Sequence, residues 1–172
     1  MEKQIKAVIK DVIDFPKKGI VFKDVTPVFG NPVIFKKMIN SLAKRYDGKK
    51  ISAIVGVESR GFIIGAPLAY KLGIPFVPVR KPGKLPRETF KEEYALEYGT
   101  NTLEIHKDAL KKGDKVIIVD DLLATGGTAE ASAKLAQRCG AKVSEITFVV
   151  ELDFLKGRDK LKGYKVFSIA HY

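Results

Sequence analysis

Four short apolar runs, Ile51–Val57, Pro75–Val79, Val116–Val119 and Ile146–Val150, recur along the 172-residue chain, and stretches of helical periodicity lie before the first and after the first and third. Such runs read as strands buried on both faces, and their alternation with helices over short connections admits few topologies. The expectation is an α/β fold, a mostly parallel twisted sheet flanked by helices, with ligands at the carboxyl ends of the strands.

The helical stretches carry their own punctuation. Asn31 is a good N-cap and Pro32 suits a first helical position. Phe35, Met38, Ile39, Leu42 and Tyr46 then line one face until Gly48. A second helix runs through Ile64, Leu68 and Leu72 and closes at Gly73; a third carries Ala131, Leu135 and Ala136 and stops at Gly140. Residues 3–13 also read as a helix, on Ile5, Val8, Ile9 and Val12, broken by Asp14-Phe15-Pro16. Segment 80–105 departs from the rhythm: it is polar, holds Pro82, Gly83 and Pro86, and carries Arg80, Lys81, Lys84, Arg87 and Lys91, the composition of a flap or hairpin. With no internal repeat and no long linker, a single domain over 1–172 is expected.

Composition narrows the function. Thirty-one basic against twenty acidic residues give a net charge of +11, which favours polyanionic ligands, nucleic acid or phosphate-rich small molecules. Cys139 is the single cysteine, and with only His106 and His171 a thiolate or imidazole metal site is not expected. No stretch approaches the roughly 18 apolar residues of a membrane span, and the first residues alternate charge with apolar side chains, so a cytoplasmic protein without membrane contact is expected.

The chemistry concentrates in Val116-Ile-Ile-Val-Asp120-Asp121-Leu-Leu-Ala124-Thr125-Gly126-Gly127-Thr128, a strand that delivers two carboxylates into a small-residue loop at a helix start. The glycines let backbone approach a phosphate, consecutive N–H groups and the helix N-terminus supply donors, and Thr125 and Thr128 add hydroxyls. Adjacent carboxylates would repel that phosphate, so Asp120 and Asp121 suit vicinal ribose hydroxyls or a divalent ion. The spacing is neither that of a Walker loop nor that of a dinucleotide fingerprint, which weakens the ATPase and dehydrogenase readings.

This thirteen-residue string resembles the 5-phosphoribosyl-1-pyrophosphate (PRPP) signature of the type I phosphoribosyltransferases, and three further blocks keep the order of the family's adenine-using branch. Phe15-Pro-Lys-Lys-Gly19-Ile-Val21-Phe22-Lys23-Asp24-Val-Thr-Pro27 resembles its base-binding hood, within about 1–30; Lys23 stands where many relatives have arginine. Gly56-Val-Glu58-Ser59-Arg60-Gly61-Phe62 resembles its pyrophosphate loop. Arg80-Lys81-Pro-Gly-Lys84-Leu-Pro86 and Tyr94-Ala-Leu-Glu97-Tyr98-Gly99 resemble its flexible lid, about 80–105.

The resemblance implies the type I phosphoribosyltransferase fold and transfer of the phosphoribosyl group of PRPP to adenine, giving AMP and pyrophosphate in purine salvage. It implies Mg²⁺ carried mainly through PRPP, a homodimer, and no nucleic-acid partner. By the same resemblance PRPP is held by Glu58, Ser59, Arg60, Lys81, Lys84, Asp120, Asp121 and Ala124 to Thr128 (Ala124, Thr125, Gly126, Gly127, Thr128). Adenine is held by Val21, Phe22 and Lys23. Glu97 handles the purine proton, Arg60 acts on the leaving group, and Tyr98 supports the closed lid. The alternatives are another acceptor base (hypoxanthine, guanine or orotate) and a nucleic-acid-binding regulator of the same fold; Arg87 stays open between a catalytic and a solvated role.

Overall fold

The computed structural model describes residues 1–15, 18–95 and 99–172. Its centre is a five-stranded, wholly parallel sheet of β3 (Ala53–Val57), β4 (Phe76–Val79), β7 (Lys115–Leu123), β8 (Lys142–Glu151) and β9 (Val166–His171) in the order β4-β3-β7-β8-β9. All five residues of β3 are buried, as are Val116 to Val119 in β7, which is why these strands read as unbroken apolar runs.

Helices α3 (Pro32–Tyr46), α4 (Arg60–Leu72) and α5 (Gly127–Arg138) cover the sheet. One apolar cluster joins α5 to one sheet face through Leu135, Val55 and Ile118; the other joins α3 and α4 to the opposite face through Leu42, Leu68 and Ile117. The expected caps are present: Asn31 Oδ1 accepts from Ile34 N at 3.0 Å, and Gly73 follows α4 at φ +66°.

The amino-terminal segment differs from expectation. Only Glu2–Lys6 is helical (α1), and Lys10–Ile13 is a strand (β1) paired antiparallel with β2 (Val21–Asp24). The reason is non-local: Asp11 faces Lys23 across the ladder and bonds its Nζ at 2.7 Å, a pairing that periodicity within residues 3–13 cannot show. Segment 80–105 forms the expected hairpin, β5 (Thr89–Ala95) with β6 (Thr100–His106), separate from the main sheet. A short α2 (Thr26–Gly30) precedes α3, and a 3-10 turn, Gly157–Leu161, precedes β9; neither element, nor β9, was expected from the sequence.

Candidate active site

The chain order reverses between β3 and β7. From β3 it moves outward to β4, then returns to β7 and proceeds through β8 to β9. A parallel sheet opens a crevice at the carboxyl ends of strands at such a switch point, because the flanking connections leave in opposite directions. A cleft of about 340 Å³ opens there. Into it face the loop after β3 (Glu58, Ser59, Arg60), the end of β7 (Asp120, Asp121), the loop Ala124 to Thr128, and Lys81 and Phe22.

A missing side chain brings the first two together. A Cβ on Gly61 would lie 2.5 Å from the Val119 carbonyl oxygen and 3.2 Å from Asp120 Oδ1, so only glycine lets the start of α4 rest against the end of β7. Arg60 consequently places Nε 2.9 Å from Asp121 Oδ2, an ion pair without hydrogen-bond alignment. The guanidinium carbon also lies 5.8 Å from the centroid of the Phe22 ring, so one arginine joins the acidic pair to the amino-terminal hairpin.

Burial pushes both acids above the ordinary aspartate range. For Asp120 the repulsion of Asp121 adds to it; for Asp121 the Arg60 guanidinium opposes it without cancelling it. The Asp121 amide donates to Asp120 Oδ1 at 2.9 Å, which fixes the first carboxylate. A half-buried and a buried carboxylate on adjacent residues, with the Arg60 cation beside them, form a site short of hydrogen-bond donors, and the vicinal hydroxyls of a ribose supply donors at that spacing.

The phosphate-binding expectation depends on α5. Gly126 sits at φ +84° immediately before the first helical residue, a conformation that glycine adopts without strain, so the loop and the start of α5 line the cleft together. Thr128 donates its hydroxyl to Tyr94 Oη at 3.2 Å, so the β5–β6 hairpin touches this loop. Tyr94 lines the cleft, and its distance in sequence from Thr128 gave no reason to pair them.

Glu58 borders the cleft, but its carboxylate is already committed. It accepts from Lys81 N at 2.9 Å and from Arg80 Nη2 at 3.2 Å. Burial raises its pKa, and the Lys81 amide and Arg80 outweigh that, leaving it below the usual glutamate range. It holds the residues that follow β4 in place. Lys84 is exposed outside the cleft, where its carbonyl accepts from Arg80 Nη1. In β2 the alternation sends Phe22 to the cleft while Val21 and Lys23 face a separate surface groove with Tyr172. Arg87 makes an exposed pair with Asp108 at 3.1 Å and is not part of the cleft lining. Glu97 and Tyr98 lie outside the described residues.

The acidic pair also suits Mg²⁺, the cofactor implied by the resemblance, since it offers hard carboxylate oxygens and Asp121 Oδ2 is buried without a hydrogen-bond donor. Glu151, Asp153 and His171 form another group of close donor atoms, but Glu151 is held by Arg158 at 2.6 Å and by Ser168 at 2.6 Å. No described helix is long and apolar enough to cross a membrane.

Comparison with known proteins agrees with this geometry. The phosphoribosyl transferase domain matches residues 29–170. The adenine phosphoribosyltransferase of Roseiflexus sp. (strain RS-1) is 53% identical over 172 residues, covering 100% of both chains. The crystal structure of adenine phosphoribosyltransferase from Thermoanaerobacter pseudethanolicus superposes with a TM-score of 0.95 at 56% identity over 100% of both chains. That of the Saccharomyces cerevisiae enzyme, complexed with D-2,5-dideoxy-2,5-imino-altritol 1,6-bisphosphate and adenine, does so with a TM-score of 0.92 at 47% identity, covering 98% of this chain and 97% of the other. A parallel sheet with a PRPP-type cleft at its switch point, matched over its full length, places the chain in the adenine phosphoribosyltransferase family, whose reaction transfers the 5-phosphoribosyl group of PRPP to N9 of adenine and yields AMP and pyrophosphate.

Proposed function

We propose that the residues of this cleft divide the reaction among themselves. The amides and hydroxyls of Ala124 to Thr128 hold the 5-phosphate, Asp120 and Asp121 accept from the ribose hydroxyls, and Arg60 with Ser59 binds the pyrophosphate. Lys81 and Lys84 add positive charge as the lid, about 80–105, folds over the site. Phe22 stacks on adenine, and the backbone of Val21 to Lys23 meets the edge of the base. This last assignment draws support from β2, which pairs with β1 on one side only and leaves the groups of its other edge available.

As the bond from the anomeric carbon to pyrophosphate lengthens, positive charge builds on the sugar and negative charge on the leaving group. Asp120 and Asp121 stand beside the first and Arg60 beside the second, so each charge develops against a fixed opposite one. Phe22 and the lid exclude water that would otherwise capture the sugar cation. Glu97 takes the proton from adenine N9. Mg²⁺ would be carried mainly through PRPP, with Asp120 and Asp121 as the nearest carboxylates, and would supply positive charge to the departing pyrophosphate.

The observation that carries this reading is the convergence of Arg60, Asp120, Asp121 and the Ala124 to Thr128 loop on one cleft. Its test is AMP formation from PRPP and Mg²⁺ with adenine, beside hypoxanthine, guanine and orotate. Turnover with adenine alone is expected. Asp121→Asn is expected to lower kcat/KM by about 100-fold or more, because it removes a charge opposite the developing sugar cation. Wild-type activity in that variant would overturn the ribose assignment, and Glu97→Gln at full turnover would overturn the proton-handling one.

Residues 1–172 act in this reading as one catalytic domain, cytoplasmic and free of nucleic acid, with 1–30 as hood. A homodimer is favoured by the outer face of α4, where Ile63 is 44% and Tyr70 90% exposed, an apolar stripe that a second copy would cover.

A further inference from the structure

The 3-10 turn Gly157–Leu161 packs directly against the phosphate loop. A Cβ on Gly157 would strike the Ala124 carbonyl, and one on Gly126 would strike the Gly157 carbonyl, so two glycines permit the contact. The turn is anchored from three sides. Leu161 is buried at 1% exposure, Gly157 rests on the loop, and Arg158 reaches the buried carboxylate of Glu151 through Nε at 2.6 Å and Nη2 at 2.8 Å.

On this anchored turn Lys160 runs across both loop glycines. Its Cβ lies 3.3 Å from where a Cβ on Gly126 would stand, and its Nζ lies 3.8 Å from where one on Gly127 would stand. The ammonium therefore sits beside the first residue of α5, where the backbone amides and the helix dipole already favour an anion. Of the two cations in the turn, Arg158 is held by Glu151, while Lys160 has no acidic partner among the described residues. A lysine stem laid over two glycines, with its charge at a helix start, matches the needs of a dianionic phosphate monoester.

We propose that Lys160 is a further binding residue for the 5-phosphate, shared by PRPP and AMP. The inference rests on the placement of that phosphate at Ala124 to Thr128. Lys160 supplies a mobile full charge to a cradle otherwise made of neutral amides and hydroxyls, and so discriminates substrates that carry the phosphate from those that lack it.

The test uses both directions of the reaction. Lys160→Ala is expected to raise KM for PRPP and for AMP by about tenfold, with KM for adenine and for pyrophosphate unchanged, since only the first pair bears the 5-phosphate. Lys160→Arg restores both values, and Lys162→Ala changes neither. Unchanged KM values for PRPP and AMP in Lys160→Ala would overturn the proposal, as would an equal rise for pyrophosphate, which would mark a general loss of positive field. Thr125→Ala separates this from failure of the underlying site. If it raises KM for PRPP and Lys160→Ala does not, Lys160 alone is wrongly assigned; if neither responds, the phosphate is not bound at this loop.

Discussion

At Asp120 and Asp121 the protein carries a cost that the proposed ribose-binding role would account for. Burial raises both pKa values, and the repulsion of Asp121 adds to it at Asp120, so the folded chain binds protons more tightly there than the unfolded chain does. An acid raised on folding opposes stability as pH climbs through and above its unfolded value, because ionisation is harder in the fold. Asp120→Asn keeps the Oδ1 acceptor for the Asp121 amide and removes the charge. It is expected to raise Tm at pH 8 by about 2–4 °C, equivalent to roughly 1 kcal/mol, while lowering kcat/KM by about 100-fold. The Tm gain should shrink toward zero near pH 4, where the wild-type pair is protonated as well. Thermal scans of both proteins from pH 4 to 8 check it; equal Tm values throughout would show that the pair is not strained.

At the scale of elements, α3 is tied to the sheet by a polar clamp at its carboxyl end. Arg45 donates through Nε and Nη2 to the two Glu145 oxygens at 2.7 Å each, Tyr46 Oη donates to Glu145 at 2.7 Å, and Thr147 pairs with the same tyrosine hydroxyl. The Arg45 guanidinium also packs 3.7 Å from the centroid of Phe167 in β9. Arg45→Met leaves Glu145, with a side chain only 10% exposed, without its cation. We expect a loss of about 2–3 kcal/mol in urea unfolding, with kcat and KM for PRPP preserved, because the clamp is at the opposite end of the strands from the cleft. The contact between Tyr94 and Thr128 is lighter: Tyr94→Phe removes one neutral hydrogen bond between hairpin and loop, so little stability should change, while the proposed phosphate role of the loop predicts that KM for PRPP rises about threefold in steady-state assays.

Across the whole molecule, Glu145 and Glu151 set the acid limit. Burial pushes both upward, but Arg45 with Tyr46 at one and Arg158 with Ser168 at the other bring each below the ordinary 4.5. A carboxylate depressed on folding contributes stability that is fully present above its unfolded value and is lost as pH falls through its folded one. Tm should therefore hold from pH 7 to about 5 and drop below about 4.5, and Glu151→Gln should flatten that limb while lowering the plateau. A Tm that fell equally in both proteins would place the acid sensitivity elsewhere. The exposed face of α4 makes a second claim at this scale: Tyr70→Glu should convert a dimer to a monomer in sedimentation, and a wild-type monomer would remove the dimer from the reading.

What the sequence alone determined is the chemistry that lies within one stretch of chain. The run from Val116 to Thr128 encodes strand, acids, loop and helix start consecutively, so it was legible without coordinates that these residues would line one cleft, and the phosphate role proposed for the loop rests on that placement. The capped helices and the β5–β6 hairpin were legible for the same reason. Only the tertiary structure decided what depends on strand order and close approach. The β1–β2 pairing replaced a helix, Gly61 brought Arg60 to Asp121, Glu58 turned to the lid, and a turn near the carboxyl end laid Lys160 across Gly126 and Gly127. Each joins residues separated in sequence, through backbone contacts that periodicity and composition do not encode.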